Sequence, residues 1–250
     1  MNTQTVFLAW QDKAQTRRWF PIGRLDVVDD GSYIFKYVQG AKEAEKAVGF
    51  KPLLAFPDFT KVYRSAGLFP LFQNRVMNRN RDDFEKYLEQ MELSGDPTPL
   101  EILSVDGGQR ETDNFEVFPL LTCDSEGRFS CRFFLHGLRH VAECAQKRLA
   151  ESIRPGDPLQ VAVELTNPKT KIGLQIQTED YCMIGWAPRY LAHDLSTALT
   201  QLNERPEDPE IKVLKVNHDA PMHQRYLIEF KGRFNSHRPM QSSEFQPLSH

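Results

Sequence analysis

The sequence predicts an α+β protein of two small mixed domains, the second a small β-barrel or sandwich with one or two helices packed on it. Three observations predict this. Short apolar runs with two-residue alternation recur through both halves. Helical spacing of apolar residues is confined to a few short stretches. A polar, glycine-bearing segment, TCDSEGRF (Thr122–Phe129), separates the halves. The 250 residues suffice for two ordinary domains, and 40% hydrophobic with 26% charged residues fits a soluble chain able to bury a core. The expected boundaries are 1–122, 123–234 and a polar, flexible tail over 235–250.

The first half opens on strands. VFLAW (Val6–Trp10) is apolar and rich in β-formers. WFPIGRLDVV, then DDG (Asp29–Gly31), then SYIFKYV reads as strand, tight turn, strand, since Asp-Gly suits a hairpin turn. AKEAEKAVGF reads as a short polar helix. RDDFEKYLEQMEL spaces Phe84, Tyr87, Leu88 and Met91 three and four apart, with acidic residues in its first turn. DPTPLEILSVDGG reads as a helix that opens after prolines and stops at Gly107-Gly108. NFEVFPLL returns to strand.

In the second half, FSCRFFLHGL reads as a strand and AECAQKRLAESI as a helix. PLQVAVEL alternates Leu159, Val161, Val163 and Leu165 on one side, the period of a half-buried strand. IGLQIQT does the same with Ile172, Leu174 and Ile176. CMIGWAP is a third strand. Pro188 suits the first turn of a helix, RYLAHDLSTALTQL, that aligns Leu191, Leu195, Ala198 and Leu202. IKVLKV and RYLIEFKGRF form a final strand pair, and NSHRPMQSSEFQPLSH is expected to fray.

A net charge of −3 excludes a polycation. Residues 1–122 carry 15 Lys and Arg against 18 Asp and Glu, leaving 16 against 16 for residues 123–250. Nucleic-acid binding would therefore need a local basic patch. No run of about 18 apolar residues predicts a membrane span. An N-terminus without an apolar signal core predicts a cytoplasmic address. Cys123, Cys131, Cys144 and Cys182 form no zinc-type spacing and are expected as buried or half-buried thiols. His136 and His140 in HGLRH lack acidic neighbours, so no metal site and no cofactor is expected. No triad, paired carboxylate or nucleophile motif predicts catalysis.

GLRH (Gly137–His140), RLAESIRPGDPLQVAVELTNP and IGWAPRYLAHDL carry, in order, the pattern of the HIRAN domain, which the chain resembles from Phe134 to Phe230. The resemblance implies an OB-like or SH3-like β-barrel that grips single-stranded DNA at a 3' end. Such domains are fused to DNA-repair translocases or stand alone in bacteria. It further implies that Arg139 and His140 contact terminal nucleotides, that Asn167 and the loop after it approach sugar and phosphate, and that Trp186 and Arg189 line the far side. The chemistry is apt on its own terms. An Arg beside a ring stacks on bases and binds phosphate. Lys169 and Lys171 present two cations on a Pro-bent loop. A helix start beginning near Pro188 directs N–H groups and a positive dipole end at an anion. This chain departs from the family's usual Asn-Pro-Tyr-Asp: it reads Asn167, Pro168, Lys169, Thr170, Lys171. Thr170 is a weaker, uncharged acceptor for a terminal hydroxyl, so recognition is expected to shift from the end toward the phosphates.

In the first half, GLFPLFQNRVMNRNRDDFEKYLEQMEL followed by DPTPLEILSVDGGQRETDNFEVFP resembles the small N-terminal subdomain of HipA-type toxin kinases, or the separate short chain some such systems encode. The turn differs, reading GGQRETDNFEVF where the family carries Gly-Asp and Gly-Ala. The sequence shows no kinase lobe.

The expected function is thus non-enzymatic binding of single-stranded DNA or DNA ends. The alternative is an interaction factor that docks on a separate HipA-type kinase or toxin chain without binding DNA. Structural readings stand beside the functional ones: Trp186 as core, His140 as surface, and Lys169 with Lys171 as a solvated bend. Arg75, Arg79 and Arg81 in NRVMNRNR are either a second phosphate loop or a plain connection.

Overall fold

The structure is a computed structural model that describes residues 4–167, 171–200 and 209–249. It is α+β and divides into two compact units. The first comprises the described residues up to Phe84, Gly95–Leu120 and the described residues from Met240; the second comprises Glu85–Ser94 and Leu121–Pro239. Among the described residues no helix is long and apolar enough to cross a membrane.

Unit 1 is an antiparallel sheet in the order β4-β3-β2-β1-β5, built from β1 (Thr5–Gln11), β2 (Trp19–Val27), β3 (Tyr33–Tyr37), β4 (Tyr63–Ser65) and β5 (Phe115–Pro119). The predicted Asp-Gly turn joins β2 to β3, which pair from Gly23↔Tyr37 to Val27↔Tyr33. Helix α1 (Gln39–Val48) buries Gly40, Ala41 and Ala44, small residues that let it lie close to its neighbours. The short α2 (Pro70–Gln73) buries Phe72. Helix α4 (Pro99–Asp106) starts at a full capping box. The Thr98 hydroxyl accepts from the Glu101 amide, and the Glu101 carboxylate accepts from the Thr98 amide.

The core of this unit is aromatic. Phe35 stacks on Phe56 at 4.0 Å between ring centroids, and Tyr37 meets Phe59 edge-on at 4.9 Å. The fully buried Tyr37 hydroxyl donates to the Phe56 carbonyl at 2.7 Å and accepts from the Leu53 amide at 2.7 Å, so one side chain ties down the 53–56 turn.

The C-terminal stretch, expected to fray, is instead part of this core. Gln39 N donates to Gln246 O and Leu248 N donates to Tyr37 O, while Phe245 packs on Phe7 at 5.1 Å. Met240 and Phe245 are the anchors, 3% and 7% exposed. Three large apolar side chains, Met240, Phe245 and Leu248, scattered among polar residues are too sparse to show a period, yet they suffice to hold the segment.

Unit 2 has two three-stranded antiparallel sheets. One, in the order β10-β11-β6, comprises β6 (Arg128–Phe134), β10 (Glu210–Val216) and β11 (Tyr226–Arg233). The other, β7-β8-β9, comprises β7 (Leu159–Asn167), β8 (Lys171–Thr178) and β9 (Met183–Trp186). Single bridges, Pro158↔Lys212 and His136↔Trp186, join the sheets at two corners; continuous ladders do not close them into a barrel. Helices α5 (Glu143–Glu151) and α6 (Arg189–Thr200) bury Ala145 and Leu149, and Leu191, Leu195 and Ala198, respectively. Leu202 lies outside the described residues.

Three further expectations differ. The helix α3 (Phe84–Gln90) and the turn after it pass to unit 2 from Glu85 on. Asn217 Nδ2 donates to Gln90 O at 2.8 Å, and Lys215 pairs with Glu92 at 2.6 Å. The apolar face of β7 is buried only at its start: Leu159 is 7% exposed, Val163 39% and Leu165 72%. Among the named strands β7 pairs only with β8, so its far end lies at an edge. Of the four thiols only Cys131 is buried, which pushes its pKa up to about 12; Cys182 is half-buried, and Cys123 and Cys144 are exposed.

Tyr37→Phe leaves a buried carbonyl and a part-buried amide without their partner and should cost about 1–3 kcal/mol. Urea unfolding should show a lower midpoint at unchanged slope. Burial raises the Tyr37 hydroxyl to about 12 against 10.0 for an exposed tyrosine. Its contribution is therefore complete below pH 10.0 and is lost as pH climbs toward about 12. The Phe variant should lack this alkaline loss.

Candidate nucleic-acid interface

The strand β6 runs out through Leu135 and His136 into Gly137, whose φ of +75° lies in the left-handed region. That turn sends the chain into a single 3-10 turn, Leu138–His140, closed by His140 N donating to Gly137 O at 2.8 Å. Arg139 and His140 are both exposed there. The turn packs beside β9.

Trp186, at the end of β9, is fixed from three sides. Its main chain exchanges two hydrogen bonds with His136: His136 N donates to Trp186 O at 2.9 Å, and Trp186 N donates to His136 O at 3.0 Å. Its six-membered ring lies directly against Gly137, where a Cβ would collide with Cε3 and Cζ3. Its Nε1–H donates to Glu164 Oε2 at 3.2 Å. The indole is half-buried, neither sealed in the core nor freely projecting.

Glu164 connects the indole to the predicted loop. Asn167 Nδ2 donates to the same Oε2 at 2.9 Å. These two hydrogen bonds, from Asn167 first and Trp186 second, hold the Glu164 carboxyl below its usual range, against the upward push of burial. Across the ladder Glu164 faces Gly173. A side chain at Gly173 would press on Asn167 Nδ2 at 3.1 Å and Glu164 Oε2 at 3.2 Å, so the small residue leaves room for the cluster.

The structure thus gathers four of the predicted residues: Arg139 and His140 on one turn, Trp186 against that turn's glycine, and Asn167 linked to Trp186 through Glu164. Arg189 is half-buried at the first position of α6, three residues beyond Trp186. Lys169 and Thr170 lie outside the described residues; Lys171 pairs with Asn167 at the start of β8, and its side chain lies outside them as well. The sequence reading missed Glu164, whose place among outward-facing polar positions of β7 looks like that of any solvated strand residue.

The other basic stretch is committed to local pairing. Arg75 is 8% exposed, donates to Gly108 O at 2.8 Å and pairs with Asp113. Arg79 pairs with Asp96, and Arg81 with Asp83 at 2.8 Å. Each guanidinium has a carboxylate partner, which favours the plain-connection reading of NRVMNRNR.

Compared with protein-family models, curated proteins and solved structures, the chain matches none of them.

Gly137→Ala forces a side chain into left-handed backbone and into the indole. It should destabilise the protein by about 1–3 kcal/mol in urea unfolding and shift the Trp186 emission. Because the Glu164 carboxyl is held below 4.5, its grip on the indole is complete above that pH and is lost as pH falls below it. The Trp186 emission, isolated in a background with Trp10 and Trp19 replaced by Phe, should change on acidification in wild type. Glu164→Gln should abolish that change.

Proposed function

We propose that unit 2 binds single-stranded nucleic acid, DNA in the first instance, without catalysis, through the surface where the Gly137–His140 turn meets Trp186. The observation that carries this reading is the placement of an exposed Arg139 and His140 beside a half-exposed indole whose orientation is fixed by Glu164 and His136. An aromatic face stacks on any base, and an adjacent guanidinium reaches the phosphate that follows it. The first turn of α6, beginning at Arg189, offers a positive dipole end on the chain segment that leaves Trp186.

The resemblance of Phe134–Phe230 to HIRAN domains supports the same reading, as do the two corner bridges, which are compatible with a six-strand OB-like or SH3-like barrel. Glu164 tempers it. A carboxylate at the Nε1 edge of the indole repels a phosphate close by, so affinity rests on stacking together with Arg139, His140 and the lysines of the 167–171 segment. Preference for a 3' end over an internal single strand is expected to be weak, since the loop carries Lys169 and Thr170 in place of Tyr and Asp.

A second reading is supported by one observation. The exposed Val163 and Leu165 on the edge strand β7 suit docking of a protein chain. Together with the HipA-like first half, this favours an interaction factor that serves a separate kinase or toxin.

Fluorescence anisotropy with labelled single-stranded DNA separates the two. Trp186→Ala should weaken binding by about 1–3 kcal/mol and leave the salt dependence unchanged. Arg139→Ala should weaken it and reduce the slope of log affinity against log salt by roughly 0.7, the value of one lost phosphate contact. Glu164→Gln should strengthen it. Absence of binding to single strands at micromolar protein and low salt would contradict the proposal and leave the docking reading.

A further inference from the structure

Within unit 2, α6 and the segment after β11 bring together three side chains that the nucleic-acid reading does not use. Asp194 is buried in α6, with 3% of the residue exposed. Its Oδ1 lies 2.6 Å from Nε2 of His237, which the chain brings back to the helix four residues after β11 ends. The same oxygen lies 3.8 Å from Nδ1 of the neighbouring His193. The three ligand atoms, two imidazole nitrogens and a carboxylate oxygen, all fall within 4.8 Å of one another. Among the described residues this is the one such group of three His, Cys, Asp or Glu side chains.

We propose that His193, Asp194 and His237 form a binding site for a divalent transition-metal ion, with Zn2+ the best fit. In a tetrahedral zinc centre the metal–nitrogen and metal–oxygen bonds are about 2.0–2.2 Å, which sets neighbouring donors about 3.3–3.6 Å apart. The observed separations of 2.6 Å and 3.8 Å bracket that range. A cation takes the place of the proton that joins His237 Nε2 to Asp194 Oδ1, and small rotations of the exposed His193 complete a three-ligand face. The donor set is borderline: two imidazoles and a carboxylate, without a thiolate. That set suits Zn2+ and its first-row neighbours rather than Cu+ or Ca2+.

The surroundings are also suitable. Phe234, 1% exposed, lies 5.2 Å from the His237 ring, while the His193 side chain is 71% exposed, which leaves the group open to water as a fourth ligand. The site would clip the 234–239 segment onto α6. A plain structural account needs only the Asp194–His237 hydrogen bond; it gives the exposed His193 no task.

The test uses that difference. The full chain is stripped with a chelator and titrated calorimetrically with Zn2+, and with Co2+ for its visible spectrum. Wild type should bind one ion per chain and gain thermal stability. Its Co2+ form should show the bands of a four-coordinate nitrogen–oxygen site. His193→Ala should leave the metal-free melting temperature unchanged and weaken Zn2+ binding at least about tenfold. His237→Ala should remove the stabilisation by metal. Absence of saturable binding would overturn the proposal. So would an affinity that neither substitution alters, since the ion would then sit on other histidines.

Discussion

The contact between Trp186 and Gly137 is the constraint on which the proposed surface depends. A glycine in left-handed backbone turns the chain out of β6 and, by lacking a side chain, admits the indole edge. The main-chain pair His136–Trp186 then joins one sheet to the other at that corner. These effects reinforce one another. The bridge sets the position of the indole, the glycine sets its depth, and Glu164 sets its rotation through Nε1. A side chain so held loses little further freedom when a base stacks on it, which is how preorganisation becomes affinity. Arg139 and His140 need only be exposed on the turn that the same glycine creates.

Unit 1 is built on different physics. Its sheet is closed over by aromatic rings and by the C-terminal segment, which returns to pair with Val38 through Pro247. The Tyr37 hydroxyl satisfies two backbone groups of the 53–56 turn, so a polar atom inside an aromatic core adds specificity without leaving a group unpaired. The arginines of NRVMNRNR stiffen the loops of this unit through carboxylate pairs with Asp113, Asp96 and Asp83.

Much of this was legible in the chain because local signals agree with the global fold. The prolines that open and the Gly107-Gly108 pair that closes α4, the spacing of Phe84, Tyr87, Leu88 and Met91, and the Asp-Gly turn each specify their element without help from distant residues. GLRH and IGWAP likewise carry the residues that meet at the proposed surface. What stayed hidden depends on partners remote in sequence. Phe245 and Met240 anchor a polar segment whose docking needs a core from the other end of the chain. Glu164 acquires meaning only when β7 sets it beside the Trp186 Nε1–H. His237 stands 43 residues from Asp194, and only the return of the chain after β11 brings them together. Periodicity shows which face of an element is apolar. It carries no information on which polar groups will converge.

The most direct measurement of the central claim is a nitrogen–proton correlation spectrum of the labelled full chain during titration with a short single-stranded DNA. The Trp186 indole Nε1–H and the amides of Gly137–His140 should shift first and furthest and saturate together, with Gly173 following through Glu164 and Asn167. Shifts centred on unit 1, or a Trp186 indole resonance that stays in place at saturating DNA, would contradict it.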